Sequence, residues 1–105
     1  MNNPRRGEIE AVISGKRFRL CLTFGALAWL EHRLGLSSLA QLGQKFSSAN
    51  LTTTELIAII AAGLHGADES LSEADLLALP LSEHWVLVEE TVARLLTASF
   101  SDDVK

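Results

Sequence analysis

The sequence predicts an α+β domain in which an N-terminal antiparallel β-hairpin packs against a bundle of four to five α-helices. Three observations carry that expectation. Two apolar runs near the N-terminus, Ile9-Ala11-Ile13 and Phe18-Leu20-Leu22, keep period two around Ser14-Gly15-Lys16. Everything after Thr23 changes to helical spacing, punctuated by Ser/Thr caps and glycine stops. The chain has 105 residues, 48% of them hydrophobic, which suits one domain with one core. Residues 1–105 are therefore read as one domain, ordered over about 7–100 with disordered ends.

Gly15 can supply the positive φ of a tight hairpin turn. A Gly15-Lys16 loop would set Ile13 opposite Phe18, Ala11 opposite Leu20 and Ile9 opposite Leu22. A Ser14-Gly15 loop would change those pairs but leave all six side chains on one face. Glu8, Glu10, Arg17 and Arg19 then share the other face as cross-strand charge pairs, each contributing roughly 0.2–1 kcal/mol. Cys21 is expected on that outward face, partly exposed. As the one cysteine, it excludes an internal disulfide and a cysteine-based metal site.

Thr23 caps a helix over Phe24 to Leu34, stopped by Gly35, and its Ala26, Leu27, Leu30 and Leu34 stripe is expected to cover the hairpin. Ser37 or Ser38 opens a second helix with Leu39, Leu42 and Phe46, broken by Ser47-Ser48-Ala49-Asn50. Thr52 and Glu55 form a capping box for a helix over Glu55 to His65. That helix is apolar nearly all round, as expected of a buried central element. Gly66 ends it, and Ala67-Asp68-Glu69-Ser70 is loop. Ser72 and Asp75 box a short helix over Glu73 to Leu79, closed by Pro80. Ser82 is expected to cap the last helix, Glu83 to about Ser99, whose stripe is Trp85, Val88, Val92, Leu95 and Leu96.

The charge is divided. Residues 1–50 carry seven Lys/Arg against three Asp/Glu, and residues 51–105 carry two against ten. An acidic helical layer argues against nucleic-acid binding. Nothing at the N-terminus resembles a signal peptide, and the longest apolar run, Leu56 to Leu64, is far short of a membrane span. The expected location is the cytoplasm.

Motifs that carry chemistry are few. His32, His65 and His84 lie on three different helices without metal-ligand spacing, the serines sit at caps, and Glu89-Glu90 are neighbours pointing apart. The seven glycines are scattered and cradle no phosphate. The expectation is a non-catalytic binding or assembly module with no cofactor and no metal.

Likeness goes further. The run Arg6-Gly7-Glu8-Ile9-Glu10-Ala11-Val12, then Gly15-Lys16, Leu20-Cys21-Leu22-Thr23 and Gly25-Ala26-Leu27-Ala28, resembles the gene-transfer-agent family of phage tail assembly chaperones. Leu56-Ile57 through Ala61-Ala62-Gly63-Leu64-His65-Gly66-Ala67 resembles the middle helix of the same family, which also carries the label of tail tube protein. The resemblance implies a prophage or gene-transfer-agent protein that binds the tape measure protein, the tail tube protein, or both during tail assembly. It brings no catalytic residues. Alternatives are a structural tube-associated component of the tail and a small regulatory adaptor.

Such a task demands an apolar surface that accepts an amphipathic helix. The apolar residues left over after one stripe per helix are Trp29, Trp85, Val86, Leu87 and Phe100. These are the candidate partner-binding residues, with Trp29 foremost. An isolated hairpin also has two edges on which a homo-oligomer could pair.

Overall fold

A computed structural model describes residues 7–47 and 51–100. The element order is β1 (Glu8–Ile13), β2 (Lys16–Cys21), α1 (Phe24–Leu34), α2 (Leu39–Ser47), α3 (Thr53–Gly66), α4 (Glu73–Leu77) and α5 (Leu81–Phe100). The expected hairpin and helical bundle are both present.

β1 and β2 pair antiparallel, with Ile9 opposite Leu20, Ala11 opposite Phe18 and Ile13 opposite Lys16. Ser14 (φ 53°) and Gly15 (φ 80°) make the two-residue loop, both left-handed as a type I′ turn requires. The Ser14-Gly15 reading is therefore the one realised. Its face assignment holds, with Ala11, Ile13, Phe18 and Leu20 all buried. Lys16 lies on the same face, its ammonium 5.9 Å from the Phe18 ring centroid.

α3 is the centre. Every residue from Ile57 to Leu64 is buried, because α3 packs against β2, α1, α4 and α5. Two glycines set how closely it approaches the sheet. A Cβ at Gly63 would stand 2.7 Å from Leu95 Cδ2 and 3.1 Å from Leu20 Cβ. A Cβ at Gly66 would run into the Cys21 carbonyl oxygen. This approach corrects the expectation for Cys21, which is buried because the end of α3 closes over the end of β2.

α1 keeps the expected bounds and caps. The Thr23 hydroxyl accepts from the Ala26 amide, and Gly35 (φ 71°) ends the helix in the left-handed region. Its buried face, Ala26 and Leu30, packs on α3 instead of covering the hairpin as expected. The hairpin rests on α3 beneath β2 and on α5 beneath β1. The all-apolar surface of α3 leaves the sheet no need of α1.

α5 begins at Leu81, directly after Pro80, so Ser82 lies inside the helix and not at its cap. Its buried residues are His84, Thr91, Val92 and Leu95, while Val88 and Leu96 are half-buried. His84 and Thr91 thus join Val92 and Leu95 of the expected stripe, and His84 Nδ1 lies 3.1 Å from the Pro80 carbonyl oxygen. α4 is one turn, ending at Leu77 instead of Leu79. The outward charges also depart from expectation. Arg19 turns to Glu69, whose carboxylate accepts from its backbone amide at 2.7 Å. Arg94 donates to the Glu10 carbonyl at 2.8 Å. Glu10 and Arg19 face each other across the hairpin, so both sheet edges are engaged at that rung.

Candidate partner-binding face

Three clefts border the segment from Asp68 to Pro80. The first, about 220 Å³, lies between α3, α4 and α5, and is lined by Leu56, Ile57, Leu76, Leu79, His84 and Val88 among others. The second, about 260 Å³, runs between α1, α3 and the α3–α4 loop, with Trp29, Ala61 and Leu71 meeting His65, Glu69 and Glu73. The third, about 190 Å³, separates the hairpin residues Ile13 and Phe18 from Leu71 and Leu79.

Local sequence explains how the segment between them is held. Ser72 Oγ accepts from the Asp75 amide at 3.1 Å, and the Asp75 carboxylate accepts from the Ser72 amide at 3.0 Å. That reciprocal bond lowers the Asp75 carboxyl below its usual range, the backbone amide of Ser72 contributing most. Arg33 of α1 donates to Glu73 through Nε (3.2 Å) and Nη2 (2.8 Å). This hydrogen-bonded pair raises the Arg33 pKa still further. α3 has its own box. Partial burial pushes Glu55 up, but the Thr52 amide and the Lys45 ammonium outweigh it and lower its pKa.

The sequence-selected residues do not converge. Trp29 is half-buried against the core and forms a wall of the second cleft. Val86 (59% exposed) and Phe100 (42% exposed) point away from the core, and Leu87 is half-buried. Val86 and Phe100 are 14 residues apart on α5, about 21 Å along a helix. The side chain of Trp85 lies outside the described residues. Sequence reasoning missed Phe24, which is 88% exposed at the first position of α1, and Leu77, 58% exposed on the rim of the first cleft. The available signal was the Leu76-Leu77-Leu79 cluster, which holds more leucine than one turn of helix can bury.

Among the described residues no group of three or more His, Cys, Asp or Glu is placed to hold a metal ion. Among them, too, no helix is long and apolar enough to cross a membrane. His32 and His65 are exposed on separate helices.

The model of the family described as "Phage tail tube protein, GTA-gp10" matches residues 6–102. The chain belongs to that family. The match spans the hairpin and all five helices. No curated protein and no solved structure matches the chain.

Proposed function

We propose that this GTA-gp10 family member is a tail assembly chaperone that binds the tape measure protein, the tail tube protein, or both, in the cytoplasm and without catalysis. The observation that carries the reading is the leucine-walled cleft between α3, α4 and α5. An apolar cleft of this kind accepts the spaced apolar side chains of an amphipathic helix. A long helical tape measure segment has such side chains to shelter before the tube encloses it.

The second reading, a component retained in the tail, draws support from the tail tube description of the family. Against it stands the small strand content. A tube subunit polymerising through sheets would need more edge than the one two-stranded hairpin found among the described residues, and both edges of that hairpin are engaged at the Glu10–Arg19 rung.

Co-expression with the tape measure protein of the same tail cluster separates the readings. A chaperone makes the tape measure soluble, co-purifies with it, and is missing from finished particles. Stoichiometric presence in purified particles, with no association beforehand, would make it a tail component.

A further inference from the structure

From Asp68 to Pro80, Leu76 is the one residue that is buried. Leu71 and Leu79 are half-buried against the core, and Leu77 stands out into solvent. α4 packs principally on α3, and clefts open on three sides of the segment. The two ends of the segment are anchored: the Glu69 amide donates to the Leu64 carbonyl at 2.9 Å, the Glu69 carboxylate accepts from the Arg19 amide at 2.7 Å, and the Pro80 carbonyl lies 3.1 Å from His84 Nδ1. Between those ends the polar ties lie at the surface. Arg33 pairs with Glu73 there, and Arg19 with Glu69 at the first end. Ion pairs at the surface contribute little. Directly beneath lies α3, where Ile57, Ile60, Ala61 and Leu64 are buried without a polar neighbour in the Ile57–Leu64 run. A weakly tied amphipathic turn therefore covers the most apolar surface in the molecule.

We propose that residues 68–80 are a strap lying on the partner-docking surface of α3, and that an incoming amphipathic helix with leucines at the Leu76/Leu79 spacing displaces it. The proposal rests on the helix-binding reading above. α4 itself shows what the surface accepts, namely a helix that seats one leucine, Leu76, on α3 with a second, Leu79, three residues on. A longer helix in the same place fills the first cleft as well, which the one-turn α4 leaves open along Leu56, His84 and Val88.

The strap also accounts for the guanidinium fork at Arg33. Glu73 is the first residue of α4, and the bidentate pair ties that turn to α1 across the second cleft. Removing the fork leaves the core untouched but lowers the cost of lifting the strap.

The test is a titration of the whole protein with a helical leucine–glutamine peptide of about five turns, followed residue by residue by NMR and hydrogen exchange, with a sequence-scrambled peptide as control. The expected result is that amides of 73–79 lose protection while α3 shifts at Ile57, Ile60 and Ala61. Arg33→Ala should raise the affinity about twofold to fivefold, and Leu76→Ala about tenfold or more. Arg33→Ala leaves the buried residues intact, so it remains informative if Leu76→Ala does not fold. Binding that leaves 73–79 protected, failure to bind the peptide, or equal or weaker binding by Arg33→Ala would overturn the proposal. Capture of the tape measure with the strap still protected would remove the strap and leave the chaperone reading. A strap that lifts for the peptide in a protein that captures no tail protein would do the reverse.

Discussion

α3 and the strap are joined by a single short loop, yet they are held by opposite means. Between Ile57 and Leu64 every residue is buried, Gly63 lies close against the Leu20 and Leu95 side chains, and just beyond, Gly66 meets the Cys21 backbone. Between Asp68 and Pro80 one leucine is buried and Leu71 and Leu79 are half-buried, and between the anchored ends at Glu69 and Pro80 the remaining ties are capping bonds and an ion pair at the surface. Close packing resists any change of volume, whereas exposed polar ties contribute little and yield easily. The same fold therefore joins a rigid platform to a loosely held cover, the division of labour expected where partners dock.

The comparison can be broken most forcefully from the α3 side. Gly66→Ala drives a methyl group into the Cys21 carbonyl, and backbone cannot step aside as a flexible side chain would. A loss of about 3 kcal/mol in urea unfolding is expected; unchanged stability would mean that α3 and β2 are not so close. On the strap side, Leu76→Ala should remove about 2 kcal/mol, the low end for a buried leucine, because the clefts around it let the site collapse. Its signature should be local, with faster exchange at 73–79 and little change in α3. Thr91→Val works in the opposite direction. Thr91 is buried and its hydroxyl has no hydrogen-bond partner, so replacing it should raise stability by about 1 kcal/mol in thermal unfolding.

Acid should sharpen the contrast with the smallest effect. The folded-state carboxyls of Asp75 and Glu55 are both depressed. Their contribution is fully present above the ordinary carboxylate value of about 4, and is lost as pH falls through the lower folded values. α4 should fray first, since its turn depends on the Ser72–Asp75 box, whereas α3 retains its buried face when the Thr52–Glu55 box weakens. Amide exchange or chemical shifts between pH 5 and 2 would record that order; simultaneous loss of both helices would contradict it.

Much of this was legible in the sequence where the cause is local. The parity of the hairpin, the bounds of α1 between Thr23 and Gly35, and both capping boxes depend on residues within four positions of one another. What escaped depends on distant neighbours. The burial of Cys21 follows from the absence of a side chain at Gly66, 45 residues away. The burial of His84 goes with a bond to the Pro80 carbonyl that hydrophobic spacing does not reveal. α1 was expected on the hairpin because its stripe is apolar, but a stripe does not name its partner, and α3 offered the larger apolar surface. At the site, Trp29, selected from the sequence as a contact residue, lines the second cleft. Val86 and Phe100 stand on the outer side of α5, away from the clefts that border the strap. The Leu76–Leu79 cluster was passed over because one helical turn is too short to display a period.

The most direct test of the platform-and-cover account is native-state hydrogen exchange on the free protein at low and high salt. The account predicts that amides of Ile57–Leu64 exchange only through global unfolding. Those of 73–79 should open far more readily, and more readily still when salt screens the Arg33–Glu73 and Arg19–Glu69 pairs. Equal protection of the two segments, unmoved by salt, would show that they are one cooperative unit and that no cover lies over α3.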